Sequence, residues 1–350
     1  MQADPDKSQG WKGAALIGLT INHLVLWPLP HAAGLLRFTY GSLGWFTFAS
    51  IFFGIAGYQW GKKASQSSMS EIWSWNKARA LRLYLWFVAV ASLLILGMTL
   101  EVIRPAPWQR HLDWTGPNSF FLCAVGLKIP WLSDVLWLHA WLGLFASFLW
   151  TCPYLMGKTG RIAPVSFMFW LTGQLEWPSA KFMVGSAPSW HAWTCWQFVF
   201  VLSALFAKSE FLEWKERLEK AQGRAVILIF LLTCFLMRHL LPQQSLSGLT
   251  HANTLAPLFA LNSFLVLLFG KSFSLRLPPI LANLGSQSLS VYAFQCIWIY
   301  VLGSWLDGVS LIPAATVFWL SISAGLLFVV SGISFGWGRT CRRKLPFESR

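Results

Sequence analysis

Ten long apolar stretches, separated by short loops, decide what this 350-residue chain can fold into. They run approximately over residues 13–30, 43–61, 79–100, 133–155, 162–177, 190–208, 224–241, 252–270, 279–303 and 311–336. At about 1.5 Å per residue, some 20 apolar residues in a helix cross a hydrocarbon core roughly 30 Å thick. Lipid offers no partners to backbone N–H and C=O groups, so a crossing segment must satisfy them internally, as a helix does. The chain is therefore expected to be all-α, a polytopic membrane protein with about ten transmembrane helices. Residues 1–350 read as one integral-membrane domain, with a basic tail over 337–350. The segment 118–130 is too short to cross and reads as re-entrant or interfacial. The charged stretch 211–224 reads as a surface helix or a solvated connector.

Composition supports this reading. The chain is 55% hydrophobic and 11% charged, against about 25% charged residues in soluble domains. Its 23 Trp suit interfacial belts. A net charge of +14 would suggest nucleic acid in a soluble protein. Here the cations sit in short loops between apolar stretches, where they set orientation, so the expected partner is a lipid bilayer and no nucleic acid. With a cytoplasmic N-terminus, the inner segments hold 21 of the 27 Lys and Arg. They are Lys7 and Lys12; Lys62, Lys63, Lys77, Arg79 and Arg82; Lys158 and Arg161; Lys208 to Arg224; Lys271 and Arg276; and the tail from Arg339. The outer side keeps Arg37, Arg104, Arg110, Lys128, Lys181 and Arg238. Both termini are thus expected to be cytoplasmic. The acidic, polar start shows no signal-peptide pattern. Six scattered Cys form no CxxC or Cys/His cluster, so neither a disulfide framework nor a metal site is expected.

Against that apolar background the polar residues stand out. The first stretch holds one ionisable group near its middle, His23, preceded by Asn22. Such groups are costly at that depth, which points to function, although a neutral interhelical hydrogen-bonder is the plainer alternative. Lys12 lies eleven residues earlier, about three turns, and so on the same face. A cation at the mouth could guide an anionic donor toward an imidazole base, or simply anchor the helix. His31, His111, His191, His239 and His251 fall at or near the outer face, with His139 about two turns inside it. Imidazoles both donate and accept hydrogen bonds, which suits a polyhydroxylated acceptor. The outer Trp108, Trp114, Trp131, Trp177 and Trp190 suit sugar rings or an ordinary aromatic belt. Gln197 interrupts an apolar helix, and Ser288, Tyr292 and Gln295 share one face at i, i+4 and i+7. That face packs against other helices or lines a cavity.

Carboxylates are scarce. Asp134 and Glu176 stand at outer helix ends, and none lies deep enough to relay protons, which counts against an ion-coupled transporter. Paired glycosidase carboxylates, a Walker or Rossmann glycine pattern and a GxSxG elbow are likewise not found.

The order of these motifs resembles the OpgC family, membrane acyltransferases that succinylate osmoregulated periplasmic glucans. The resemblance covers nearly the whole chain. It runs through Lys12-Gly13, Asn22-His23, the aromatic run Phe46 to Ser50, Arg79-Ala-Leu-Arg-Leu-Tyr84, and Asp134-Val-Leu. Trp196-Gln197 and Leu284-Gly285-Ser-Gln-Ser288-Leu complete it. The chain departs from the pattern at Gly44, where family members often carry an acid, at Ile51, and around Thr250 and His251.

The resemblance implies an enzyme of the inner membrane, moving an acyl group from cytoplasmic acyl-CoA, with succinyl-CoA the family's donor, to a periplasmic glucan or other glycan hydroxyl. It binds no cofactor; acyl-CoA is a substrate. His23 would be the general base with Asn22 beside it, and Lys12, Arg79 and Arg82 would bind the donor's phosphates. Asp134, His139, His191, Gln197 and Ser288 would meet the acceptor or the developing oxyanion. The competing classes are a transporter or flippase for a glycan or lipid-linked sugar, and a scaffold subunit of a glucan-synthesis assembly.

Overall fold

A computed structural model describes residues 5–30, 48–116, 118–152, 159–174, 189–208, 212–240, 261, 263 and 277–344. Among these residues the chain is all-helical, with twelve α-helices and one 3₁₀ turn, Pro107–Gln109. The helices are α1 Pro5–Leu26, α2 Phe48–Ala64, α3 Met69–Thr99, α4 Asn118–Ala124, α5 Asp134–Thr151 and α6 Thr159–Gln174. They continue as α7 Ser189–Phe206, α8 Leu212–Glu219, α9 Ala221–Leu240, α10 Pro279–Ser286, α11 Ser288–Leu306 and α12 Pro313–Lys344. Among the described residues three segments are long and apolar enough to cross a membrane: Met69–Thr99, Ser288–Leu306 and Pro313–Ser334. Two shorter apolar runs, Trp196–Phe206 and Ala221–Thr233, accompany them. This is the architecture of a multi-pass membrane protein.

The helix boundaries differ from the apolar ones for physical reasons. Apolarity marks where lipid is; capping marks where the helix starts. Helix α3 begins ten residues before its expected span, because Ser68 and Glu71 form a reciprocal capping box. Leu81, Leu85, Leu93 and Leu96 are exposed along one stripe of that helix, as lipid contact requires. Helix α1 starts at Pro5 and stops at Leu26, four residues before the expected end. The Trp27-Pro28 step disfavours continuation, and Leu29 N–H closes on Leu24 C=O at 2.7 Å. With Asn22, His23 and a polar first turn, α1 is not among the long apolar helices.

The stretch 279–303, expected as one helix, is two. Gln287 leaves the helical region (φ −99°, ψ 20°) and separates α10 from α11. The stretch 252–270 lies outside the described residues apart from Leu261 and Ser263.

The chain divides into two compact units. The first comprises Met1–Thr39 and Leu275–Arg350, with helices α1, α10, α11 and α12. Its α1 and α10 cross at glycines: a Cβ on Gly13 would strike the carbonyl oxygen of Leu281, and one on Gly285 that of Gln9. Small residues at such a crossing let backbones approach closely. Trp27 lies against Gly303 and meets Tyr300 edge-on at 5.2 Å, holding the end of α1 on α11. Trp298 Nε1–H donates to Ser323 Oγ at 2.9 Å and joins α11 to α12.

The second unit, Tyr40–Ser274, holds α2 to α9. Gly57 and Gly61, a GxxxG pair, bring α2 onto the carbonyls of Phe200 and Ala204 in α7. The Trp60 indole N–H donates to Asn76 Oδ1 at 2.9 Å, tying α2 to α3, and Trp73 donates to Thr151 Oγ1 at 2.8 Å, tying α3 to α5.

Between α3 and α5 the chain builds an ordered cap. Gln109 Nε2 donates to the Ile129 carbonyl at 3.0 Å and its Oε1 accepts from Trp131 N–H at 3.0 Å. The segment expected to be re-entrant or interfacial is the short helix α4, followed by a turn at Gly126 (φ +81°) pressed against the Trp137 ring. The stretch 211–224 does contain a short charged helix, α8.

Candidate functional site

In the first unit α1 carries His23 to α11, where its ring Nδ1 lies 2.8 Å from the side-chain amide nitrogen of Gln295. The two residues are 272 positions apart in sequence. The crossing of α1 over α10 and the seat of Trp27 on Gly303 fix the faces that meet. His23 is half-buried, whereas Gln295 is fully buried. The Gln295 Oε1 is buried and has no hydrogen-bond partner among the described residues. Asn22 is also buried, and its Oδ1 has no partner among the described residues. Unsatisfied buried acceptors are rare and call for an explanation.

An amide nitrogen can only donate, so in this contact Nδ1 accepts and the neutral ring carries its proton on Nε2. With the amide turned over, Oε1 would accept from Nδ1–H, and the Nε2 lone pair would become the basic site. Both arrangements hold the ring at the same nitrogen.

Lys12 and Ser288 belong to the same unit and are half-buried, Ser288 as the first residue of α11. The remaining expected site residues belong to the second unit. There, Arg79 is half-buried with its guanidinium 5.7 Å from the Trp75 ring centre, and Arg82 is exposed. Lys63 lies 5.6 Å from the same ring, so two cations share one indole, a pairing that sequence alone did not suggest. Asp134 stands half-buried in the first turn of α5. His139 is buried, stacked on Phe53 at 4.3 Å, with Nδ1 2.9 Å from the Val135 carbonyl.

Gln197 is fully buried and its amide is committed to helix packing. Its Nε2 donates to the carbonyls of Ser166 at 2.7 Å and Thr194 at 3.0 Å, and its Oε1 accepts from Ser166 Oγ at 2.6 Å. An oxyanion would have to displace these bonds.

His191 lies in the first turn of α7. His31, His251, Trp177, the Gly44 position and the side chains of Trp108, His191, Trp190 and His239 lie outside the described residues. Trp114, considered above as a sugar platform, is buried beneath Lys128, whose Nζ is 5.0 Å from the ring centre. That ammonium is itself buried and donates to Ser119 Oγ at 3.0 Å; burial lowers its pKa. Hydrogen bonds from Thr115, side chain and then backbone, hold the nearby Asp113 carboxyl below its usual range.

Gln295 is the residue that sequence reasoning placed on a polar face without assigning it a partner. The signal was present: a lone amide at i+7 from Ser288, facing inward. Its meeting with His23 was not legible, because nothing in a helix's own periodicity names the neighbour it will face.

The fold and this site define a class, the multi-pass helical membrane proteins with an ionisable residue held inside a helix bundle. Beyond that class, the chain matches no known protein family, no characterised protein and no solved structure.

Proposed function

We propose that this chain is a membrane O-acyltransferase that moves an acyl group from acyl-CoA to a glycan hydroxyl, with His23 as general base. The observation that carries the reading is the imidazole of α1 held at Nδ1 by a buried amide of α11. A general base needs an orienting partner and a lone pair, and with Gln295 Oε1 accepting from Nδ1–H that lone pair lies on Nε2. In the reaction, the imidazole takes the proton of the acceptor hydroxyl as its oxygen attacks the thioester carbonyl carbon. The C–S bond then breaks, and the CoA thiolate leaves and collects that proton. An ester and a thiol result, and the histidine is restored.

The resemblance assigns Lys12, Arg79 and Arg82 to the donor's phosphates and the outer histidines to the glycan. The apolar pattern supports about ten crossings, with both termini cytoplasmic in a bacterial inner membrane. The likeness to glucan succinyltransferases makes succinyl-CoA the first donor to try and a β-glucan the first acceptor.

The test is incubation of the purified protein with isotope-labelled succinyl-CoA and a β-glucan, followed by mass analysis of the glucan. A mass gain of one succinyl group, absent from His23→Ala, supports the reading. No gain with succinyl- or acetyl-CoA would overturn it. Orientation is checked with an impermeant thiol reagent: a cysteine at Lys215 should resist labelling from outside.

A further inference from the structure

We propose that Gln295 is the positioning residue of His23, holding its Nδ1 so that Nε2 is the ring nitrogen presented to substrate. The proposal rests on the reading of His23 as the base and specifies which of its atoms does the work.

Three observations carry it. The first is the contact itself, at 2.8 Å between Gln295 Nε2 and His23 Nδ1, within the range of a well-formed hydrogen bond. The second is burial: no part of Gln295 is exposed, so water cannot replace its amide as the partner of Nδ1. Its neighbours on α11, Tyr292, Cys296 and Ile299, are buried as well. The third is the unpartnered Oε1. A buried acceptor without a partner is destabilising, and at Gln295, unlike at Gln9, whose Oε1 is also buried and unmet among the described residues, it sits on the side chain that holds the imidazole.

The two ends of the amide are alike in shape, so either can face the ring. With Nε2 on the ring it stabilises the tautomer protonated at Nε2; with Oε1 on the ring it stabilises the tautomer protonated at Nδ1 and the imidazolium formed during transfer. Both states keep Nδ1 out of the chemistry. The amide is also neutral. Even with Oε1 on the ring it favours the imidazolium less than a carboxylate would, and so leaves the resting base neutral.

The experiment reads the ring directly. Protein labelled with ¹⁵N at its histidine rings is examined by NMR in detergent or bilayers, and the His23 signals are identified by their loss in His23→Ala. The wild type should show a hydrogen bond at Nδ1, seen as a displaced Nδ1 resonance. Gln295→Leu should return that resonance to its unbonded position, and Gln295→Glu, which keeps the acceptor oxygens, should retain a bonded Nδ1–H. An Nδ1 signal identical in the wild type and Gln295→Leu would overturn the proposal.

In the succinyl-CoA and β-glucan assay, Gln295→Leu should lower kcat by about tenfold to a hundredfold, the usual effect of losing an orienting partner. The KM for either substrate should change less than about twofold, and Gln295→Glu should restore part of the rate. Equal losses in both variants, with melting temperatures lowered alike, would assign Gln295 to packing and overturn the proposal. The two readings fail separately. Active His23→Ala removes the base while the NMR result stands, whereas inactive His23→Ala with an indifferent Gln295→Leu keeps the base and removes its positioner.

Discussion

Two buried glutamines, one in each unit, do different things with the same side chain. Gln197 has both ends engaged, with two hydrogen bonds to Ser166 that fasten α7 to α6 and a third to Thr194 within α7. Gln295 has one end on His23 and the other unmet. Both are fully inaccessible, so water explains neither. A satisfied amide between helices is adhesive, whereas one left half-satisfied next to an ionisable ring carries a cost that packing alone does not justify. Asn76 belongs with the first kind: its Oδ1 accepts from Trp60 and its Nδ2 donates to the Ile72 carbonyl. The difference separates polar groups that hold the bundle together from a polar pair available for chemistry.

The largest expected effect tests the chemical side of that contrast. His23→Ala should reduce acyl transfer by about a hundredfold to ten-thousandfold, the usual contribution of a general base, while the melting temperature changes little. A variant that transfers at the wild-type rate would leave the His23·Gln295 pair as another packing contact and dissolve the distinction.

Next in size is a disruption of the frame on which the pair depends. Gly285→Leu forces a side chain against the Gln9 carbonyl, a backbone atom that cannot swing aside. It should cost about 3 kcal/mol of stability, at the upper end for overpacking, and abolish activity by separating α1 from α10. A thermal melt in detergent, compared with Gly325→Leu, where a Cβ meets nothing within 4 Å, provides the check.

A smaller effect belongs to the adhesive pair. Ser166→Ala removes the donor to Gln197 Oε1 and should lower stability by about 1 kcal/mol, in the range of interhelical hydrogen bonds in membranes. The kcat should stay within about twofold. A large loss of rate without loss of stability would give Gln197 the catalytic part that its bonding argues against.

The smallest concerns the cap between α3 and α5. The Asp113 carboxylate accepts from Thr115 Oγ1 at 2.7 Å, Thr115 N–H at 2.9 Å and Gly116 N–H at 3.2 Å, which lowers its pKa. A depressed carboxyl stabilises the turn above its unfolded value, about 3.9, and loses that contribution as the pH falls through the lower folded value. Hydrogen exchange of the 113–116 amides, corrected for intrinsic rate, should therefore rise as the pH is taken from 5 to 2.5. Asp113→Asn, which does not titrate there, should lack the rise.

Much of the architecture was legible before any coordinates. The apolar stretches named the helices because hydrophobic length is a property of local sequence, and His23 stood out because an ionisable residue among apolar neighbours needs no partner to be conspicuous. Other features were equally local and went unread: the GxxxG pair Gly57 and Gly61 that seats α2 on α7, and the Trp27-Pro28 stop of α1. The break at Gln287 was harder to see, since α10 and α11 are both apolar and no proline or glycine marks the residue that leaves the helix.

The sequence by itself determined that the chain is helical, lipid-seeking and poor in buried charge, and it offered His23 as the residue to explain. Only the tertiary structure decided which of the buried amides is adhesive and which holds the imidazole. Gln197 and Gln295 have the same chemistry and comparably apolar surroundings in sequence. Their roles diverge because the packing of α7 on α6 brings Ser166 to one, and that of α1 on α11 brings His23 to the other.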